Sequence, residues 1–266
     1  MNSLAQYLSS LPLSEFSQTS KNGGKVVTIP HDCSVAEAVR TLAEHDIYSA
    51  PIYNKETSEY IGMIDLIDIA DLLTEKYDLS EFRKRDLCKS IFKKPEVFGN
   101  TKVNEIANIA SRGGFLPISI ESTLKDAVFL LAENNVHRLC VMDNENNLVN
   151  IISQSAVIEM IQKYNLEGEE QSIGTGIGTS PVVYARVGQT MMEALKILKK
   201  YNVYAVPVVG DDLTDNSIVS NISSKDVKYI CGNAEQMNML YQPISKFLAS
   251  KNSVALETHL PSFTVK

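Results

Sequence analysis

Long apolar runs are missing from this sequence. No stretch of eighteen or more consecutive apolar residues occurs, so no segment predicts a membrane-spanning helix. Residues 1-20 also lack the cationic start and the continuous apolar core of a secretory signal. We therefore expect a soluble protein of the cytoplasm, with the nucleus as a second candidate compartment and no membrane partner.

Cysteine and histidine are both scarce. The four cysteines are widely separated and form no C-x-x-C pair, so neither disulfides nor a zinc site is indicated. The four histidines never form a metal-binding pair, and no local motif assembles a nucleophile, a base and an orienting acid. The sequence therefore predicts no metal site, no catalytic residue and no enzyme activity.

A surplus of basic residues is also absent. The net charge is −7 and the estimated pI is near 5.2. A nucleic-acid binder would gain most of its affinity from lysine and arginine on phosphates, so this charge argues against a nucleic-acid partner. With 266 residues, of which 44% are hydrophobic and 21% charged, the chain has room for one large or two medium domains.

A repeated pattern is the main feature that the sequence does have. Residues 124-138 recur in register at 35-49 and 191-205. In each copy apolar residues fall at i, i+3, i+4 and i+7, which predicts one amphipathic helix per copy. The residues on these faces are Val35, Ala38, Val39 and Leu42; Leu124, Ala127, Val128 and Leu131; and Met191, Ala194, Leu195 and Leu198.

A predicted hairpin follows each helix. A β-rich run comes first, always at the same distance from the helix alanine, and a polar turn and a second apolar run come after it. A second helix then begins with a short polar or acidic residue. The repeating unit is therefore strand, helix, strand, strand, helix.

Three complete units account for most of the chain. They occupy residues 21-79, 113-165 and 178-233, after an N-terminal segment at 1-20 and around a charged connector at 80-112. One more step of equal length beyond Ala194 places the first helix of a fourth copy near position 261. We therefore interpret residues 234-266 as a tail that begins a truncated fourth repeat. Units this short bury little apolar surface alone, so we expect repeats to pair.

The unit carries h-h-P-h-h in its middle strand and G-h-h-x-x-x-D leading into its last helix. In these features it resembles the cystathionine-β-synthase-type (CBS) motif. Among CBS proteins the gamma regulatory subunits of AMP-activated protein kinase are the most similar, on the basis of Val136-His137-Arg138-Leu139, Ile177-Gly178-Thr179 and Tyr60-Ile61-Gly62-Met63-Ile64. The resemblance implies an α+β fold of tandem CBS motifs paired as Bateman modules, with three complete motifs and a truncated fourth. It also implies an adenine nucleotide (AMP, ADP or ATP) as regulatory ligand in the cleft between paired sheets.

The acidic residue at the start of the last helix is a candidate ribose ligand. A carboxylate there could accept hydrogen bonds from both ribose hydroxyls, and Asp68 and Asp226 occupy this position. In the alternative interpretation each only completes a helix cap, with Asp65 or Ser223 three residues before it. Ser223 could cap the helix while Asp226 faces the cleft. Repeat 2 has Ser153 but carries Ala156 at the aspartate position, so one vacant site is expected.

Two cations mark repeat 2 as the phosphate-reading copy. His137 and Arg138 stand between its first helix and the following strand, where both could hold phosphate oxygens. Alternatively, they only offset the macrodipole of a helix C-terminus. Tyr48-Ser49 and Tyr204-Ala205 replace them in the other copies, and Ser155 replaces the lysine of gamma subunits.

Adenine needs apolar walls and backbone hydrogen bonds. Met63, Phe115, Leu116 and Pro117 would supply them if repeats 1 and 2 pair, and each is equally suited to the ordinary core. We therefore predict a non-catalytic nucleotide-binding regulator of a partner, with a protein kinase complex as the candidate. The alternative is a scaffold that forms a homodimer or docks partners through CBS pairs, with degenerate nucleotide sites.

Overall fold

The computed structural model describes residues 4–16, 26–76, 99–106, 114–163, 181–212, 217–231 and 234–255. They form two compact units, the first of residues 1–33, 44–64 and 103–179, and the second of 34–43, 65–102 and 180–266. The described part of repeat 2 lies in the first unit and that of repeat 3 in the second. Repeat 1 contributes its strands to the first unit and nearly all of its helices to the second.

Each repeat has the predicted order of elements. Repeat 1 comprises β1 (Ile29–Pro30), α2 (Val35–Glu44), β2 (Ser49–Asn54), β3 (Glu59–Asp65) and α3 (Leu66–Lys76). Repeat 2 comprises β4 (Pro117–Ser119), α5 (Leu124–Glu133), β5 (Arg138–Met142), β6 (Leu148–Ser153) and α6 (Gln154–Lys163). Repeat 3 comprises β7 (Ala185–Arg186), α7 (Met191–Tyr201), β8 (Ala205–Val209), β9 (Ile218–Ser223) and a 3-10 helix (Ser224–Tyr229). The remaining helices are α1 (Leu4–Ser10), α4 (Val103–Ile106), α8 (Ala234–Met237) and α9 (Ile244–Ala255), with 3-10 helices at Leu13–Glu15 and Asn238–Tyr241.

Each repeat forms its own three-stranded sheet, with the strands in chain order. The first strand runs parallel to the second, as in the pairing of Pro117 with Cys140. The second and third strands of repeats 2 and 3 are antiparallel, and a β-bulge interrupts the register in both. The pairing of Arg138 with Ser153 places the start of β5 beside the end of β6. The predicted α+β class and hairpins are therefore confirmed in these sheets.

The first helix of each repeat follows its apolar pattern. The faces of α2 and α7 are buried along their length, and in α5 the buried residues are Leu124, Ala127 and Leu131. Thr123 and Thr190 begin α5 and α7 with capping boxes, in which Asp126 and Glu193 bond back to the cap. These bonds satisfy amides that the helix itself leaves without partners, so they fix where each helix begins.

One turn conformation follows all three of these helices. Asp46, Asn135 and Asn202 occupy equivalent positions and have φ of 50, 49 and 53°. Asparagine and aspartate enter this left-handed region more readily than other side-chain-bearing residues. The turn therefore directs each helix into the strand that follows it.

The two units have different cores. In the first unit, residues of β5, β6 and α5 pack with Leu11, Leu13 and Phe16 of the N-terminal segment, and α1 packs against α5. In the second unit α3 is buried from Leu66 through Thr74 and packs against α7 and the 3-10 helix Ser224–Tyr229. Repeat 1 therefore packs its last helix on helices of repeat 3.

The loop before the first helix of every repeat forms a β-bridge with a short segment from elsewhere in the chain, here called the lead-in segment. Isolated bridges link Pro12 with Thr123, Lys102 with Ser34 and Pro243 with Thr190. The segment at 242–244 thus meets repeat 3 as the segment at 101–103 meets repeat 1. This equivalence supports the prediction that residues 234-266 begin a further motif, which remains a prediction. Residues 256–266 lie outside the described part.

The structure differs from one sequence expectation and leaves another mostly outside the described residues. The last helix of repeat 3 is a 3-10 helix over Ser224–Tyr229, whereas the spacing predicts a regular helix like those of repeats 1 and 2. Most of the connector at 80-112 lies outside the described residues, which include only 99–106 of it. Among the helices that the structure describes, none is long and apolar enough to cross a membrane.

Candidate nucleotide-binding sites

The predicted phosphate residues of repeat 2 lie together in the first unit. Arg138 opens β5 directly opposite Ser153, and the backbone N–H of Gln154 donates to the carbonyl of His137 at 3.1 Å. His137, Arg138 and Ser153 are all partly exposed. An imidazole, a guanidinium and a hydroxyl thus share one end of the sheet, beside the start of α6. This set of groups suits a phosphate.

Ser153 also has a structural role. Its Oγ accepts a hydrogen bond from the backbone N–H of Ala156 at 3.1 Å, which caps the start of α6. The capping interpretation therefore applies to this hydroxyl, although a second lone pair remains for another donor. With Ala156 in place of the aspartate, repeat 2 offers no carboxylate at this position.

An aromatic cluster lies where strands of repeats 1 and 2 meet in the first unit. The rings of Tyr60 and Phe115 stack with centroids 4.9 Å apart and an interplanar angle of 4°, and Tyr53 lies 5.0 Å from Tyr60. On the same pair of sheets, Sγ of Cys140 lies 3.7 Å from Sδ of Met63. Met63 and Phe115 therefore face between the repeats, as an adenine wall would.

Leu116 has a different setting. Its side chain packs against the core of repeat 2, and its carbonyl accepts from the backbone N–H of Cys140 at 2.9 Å, within the sheet. These contacts favour the ordinary core interpretation for Leu116. Pro117 is exposed at the start of β4.

Burial sets the ionisation of two groups near this cluster. It raises the pKa of the Cys140 thiol to about 12, so the thiol stays protonated and packs as a small apolar group. Burial also raises the pKa of the Tyr60 phenol, and the neighbouring Tyr53 and Cys140 add to this effect. Tyr60 therefore stays a neutral donor. Strict alternation puts residues three apart in a strand on opposite faces, so the sequence did not place Tyr60 in this cluster with Met63.

Ser49 is a second residue whose role the sequence did not reveal. It occupies in repeat 1 the position that Arg138 has in repeat 2, and it is 6% exposed. Within the part of the chain that the structure describes, its Oγ has no hydrogen-bond partner. A buried hydroxyl in this condition is uncommon and calls for a bound polar group or water.

The two candidate ribose carboxylates lie in the second unit. Asp68 is buried in the first turn of α3, and its Oδ2 accepts from the backbone N–H of Asp65 at 2.9 Å. The carboxylate of Asp65 in turn accepts from the N–H of Ile67 at 3.1 Å. The Asp65 carboxylate thus serves the turn before α3. Both acids take part in capping the helix, as the alternative interpretation predicts.

Asp226 is more completely engaged. Its Oδ2 accepts from the backbone N–H of Ser223 at 2.8 Å and from the Ser223 hydroxyl at 3.3 Å, and the two residues form a capping box. Its Oδ1 accepts from Nζ of Lys251 at 2.6 Å, and the Asp226 side chain is only 3% exposed. No sequence pattern pointed to Lys251, which lies in α9 of the tail.

The structure therefore groups the predicted residues in two sets. Met63, Phe115, His137, Arg138 and Ser153 belong to the first unit, whereas Asp68, Ser223 and Asp226 belong to the second. A model of the CBS domain matches residues 20–75, 103–163 and 174–231, which is more than half of the chain. The chain belongs to the CBS-domain family. The three matches correspond to the three repeats, so the predicted CBS motifs are confirmed.

Curated relatives of this CBS protein include kinase gamma subunits. The chain is 28% identical over 212 residues to the 5'-AMP-activated protein kinase subunit gamma of Dictyostelium discoideum, across 77% of this chain and 35% of the relative. It is 23% identical over 264 residues to the SNF1-related protein kinase regulatory subunit gamma-1 of Arabidopsis thaliana, across 83% of this chain and 61% of the relative. The chain thus spans less than two thirds of either relative, and its predicted homology to gamma subunits is confirmed.

A solved structure shares the fold of this CBS protein. A protein from Methanocaldococcus jannaschii, described as a proposed archaeal homologue of the AMPK gamma subunit, superposes with a TM-score of 0.65. The alignment covers 91% of this chain and 90% of that one at 17% identity. At this identity the match establishes the fold alone.

Proposed function

We propose that this CBS protein is a non-catalytic regulator that binds AMP, ADP or ATP between CBS repeats and passes the energy state to a protein kinase complex. The observation that carries this proposal is the arrangement in the first unit. There His137, Arg138 and Ser153 share one sheet end, and the paired sheets of repeats 1 and 2 also present Phe115 and Met63. Homology to kinase gamma subunits gives the nucleotide and the kinase as candidates.

Each part of the ligand has a proposed partner. Arg138 and His137 hold phosphate oxygens through charge-assisted hydrogen bonds. Phe115 and Met63 provide apolar contact for the adenine ring. In the second unit, Asp68 and Asp226 are the candidate acceptors of hydrogen bonds from the ribose hydroxyls of a nucleotide bound there. Repeat 2 lacks such a carboxylate, so its own ribose position is expected to stay vacant.

Regulation requires that the nucleotide prefer one conformation of the protein. A ligand shifts an equilibrium only by its difference in affinity between two states. In this proposal the bound nucleotide changes the packing between repeats, and a kinase catalytic or scaffold subunit responds to the change. If so, AMP should alter the affinity of this chain for such a subunit, and the subunit should alter the affinity for AMP by the same factor.

The first test of this function is calorimetric titration of the chain with AMP, ADP and ATP. We expect saturable binding that Arg138→Ala weakens by about tenfold or more, because a charged hydrogen bond is worth roughly 1.5–3 kcal/mol. Lys125→Ala is the matched control, since Lys125 is an exposed cation on α5 of the same repeat. Absence of binding at millimolar nucleotide in the folded chain would contradict the proposal.

A second candidate function is a dimerisation scaffold, and one surface favours it. Counting back from Asp226 and Ala194 gives Ile218 and Val182 as the repeat-3 equivalents of Tyr60 and Phe115. Tyr60 and Phe115 cover each other in the first unit, whereas Ile218 is 69% and Val182 63% exposed. Exposed apolar residues at positions that are covered in the other repeats favour an interaction site there. In this hypothesis a second copy of the chain covers the exposed surface, so that repeat 3 of one copy pairs with repeat 3 of the other.

A further inference from the structure

Lys251 makes the closest polar contact of the candidate ribose carboxylate in repeat 3. It lies in α9, in the tail after the last complete repeat, and its Nζ donates to Oδ1 of Asp226 at 2.6 Å. The Asp226 side chain is 3% exposed and that of Lys251 24% exposed. The pair is therefore largely shielded from water, where a charge interaction is stronger than at the surface.

Both oxygens of Asp226 are in use. Oδ2 accepts the two hydrogen bonds from Ser223 that hold the turn before the 3-10 helix. These bonds of the turn do not involve Oδ1, and this oxygen accepts the hydrogen bond from Lys251. A ribose has two adjacent hydroxyl donors. A carboxylate that accepts a hydrogen bond from each of them must use Oδ1 as one of its two acceptors. Lys251 and the ribose thus compete for one acceptor.

The contact with Lys251 comes from the tail. Asp68 and Asp226 each accept a hydrogen bond from the backbone N–H three residues before them, so the local turn is alike in repeats 1 and 3. Lys251 lies in α9, which follows the bridge between Pro243 and Thr190. The ammonium is therefore supplied by the tail next to repeat 3.

We infer that Lys251 is a specificity-determining residue of the repeat-3 site, where it occupies the ribose carboxylate and excludes the nucleotide until it withdraws. This inference rests on the proposed nucleotide-binding function. It lowers the affinity of the Asp226 site for nucleotide, because only the fraction of molecules with Lys251 withdrawn can bind. Any event that moves α9 would raise the affinity for nucleotide at Asp226.

The test replaces Lys251 in a variant that keeps only one of the two candidate ribose carboxylates. Asp68→Asn removes the carboxylate of repeat 1, and AMP is titrated by calorimetry into this variant with and without Lys251→Met. We expect Lys251→Met to tighten AMP binding by at least about tenfold. Adding Asp226→Asn should abolish the gain. Lys246→Met is the control on the same helix, where the lysine is exposed and bonds Gln242 at 3.2 Å, and it should change nothing.

Other outcomes distinguish a failure of this inference from a failure of the proposed nucleotide-binding function. If Lys251→Met leaves AMP binding unchanged or weakens it, while Asp68→Asn alone reduces binding by the full chain, then Lys251 is no competitor and only this inference fails. If neither the full chain nor any variant binds AMP, the proposed function fails as well. Lys251→Gln guards against a folding defect, because it removes the charge but keeps a donor. It should give an intermediate affinity and lower the melting temperature less than Lys251→Met does, because Asp226 keeps a hydrogen-bond donor.

Discussion

At the scale of single residues, two serine hydroxyls, one at the start of β2 and one at the end of β6, differ in their hydrogen bonding. Ser153 accepts a backbone hydrogen bond at the start of α6, whereas the buried hydroxyl of Ser49 has no partner among the described residues. A buried polar group without a partner is unfavourable by about 1–3 kcal/mol. The Ser49 hydroxyl should therefore be a stability defect that a bound polar group or water relieves.

This difference predicts opposite effects of one substitution. Ser49→Ala should raise the free energy of unfolding by about 1 kcal/mol, since it removes an unsatisfied group. Ser153→Ala should lower it by about 1 kcal/mol, since it removes a helix cap. Urea denaturation of both variants without nucleotide measures the two effects. A loss of stability in Ser49→Ala would mean that its hydroxyl has a partner in the free protein, such as a bound water.

The predicted hairpin explains how part of the candidate site comes together. Arg138, His137 and Ser153 could be placed together because a hairpin brings the start of one strand to the end of the next. Lys251 could not be found in this way, since its contact with Asp226 spans 25 residues and depends on where α9 packs. Ser49 could not be found either, because a hydroxyl without a partner is visible only once its neighbours are known.

At the scale of elements, the capping boxes fix the first helix of each repeat. In α7 the Thr190 hydroxyl accepts from the backbone N–H of Glu193 at 3.2 Å, and the Glu193 carboxylate accepts from the backbone N–H of Thr190 at 2.7 Å. Thr190 also lies in the bridge to Pro243 of the lead-in segment. The cap therefore holds both the helix start and the segment that leads to α9.

Removal of this cap gives an element-scale prediction. Thr190→Ala should lower the free energy of unfolding by about 1 kcal/mol, the usual cost of losing a threonine cap. Thr41→Ala is the matched control, because the Thr41 hydroxyl donates to the carbonyl of Glu37 within α2 and caps no helix. Thermal and urea unfolding of both variants provide the comparison. Equal losses in the two variants would show that the box at Thr190 adds nothing beyond an ordinary threonine.

Periodicity predicted the helices and hairpins well, and its failures have local causes. In repeats 2 and 3 a bulge adds one residue to the last strand, so Leu148 pairs with Met142 and Ile218 with Val209. Strict alternation along a strand assigns faces incorrectly beyond such a point. The 3-10 geometry of Ser224–Tyr229 likewise leaves no trace in the spacing of apolar residues, which suits a regular helix equally well.

At the scale of the whole molecule, the repeat predicted that copies would pair but not which faces each copy would use. Repeat 1 shows both modes: Tyr60 and Met63 of its sheet meet repeat 2 in the first unit, and α3 packs on repeat 3 in the second. The length of one repeat could predict the need for partners, since so small a unit cannot bury enough apolar surface. The choice of partners depends on packing between distant segments.

The sheet of repeat 3 provides the last prediction. In the first unit, the position of Ile218 is held by Tyr60, which stacks on Phe115 of the other repeat. If a second copy covers the repeat-3 face, the chain should sediment as a dimer at micromolar concentration, and Ile218→Lys should shift it to monomer. The reason is that a twofold contact places each substituted lysine in the same apolar interface, where a charge without a partner is strongly unfavourable.

Two further measurements test whether the effect of Ile218→Lys is confined to the dimer contact of repeat 3. Ile158→Lys introduces the same charge at an exposed isoleucine on α6, outside the repeat-3 sheet, and should leave the dimer intact. Nucleotide titration of Ile218→Lys asks whether the scaffold and the regulator are separate functions, because the aromatic cluster and the Arg138 site lie in the first unit. A monomer that still binds AMP would show that nucleotide binding does not depend on the dimer. A wild-type chain that is monomeric at high micromolar concentration would remove the second copy as the occupant of this face.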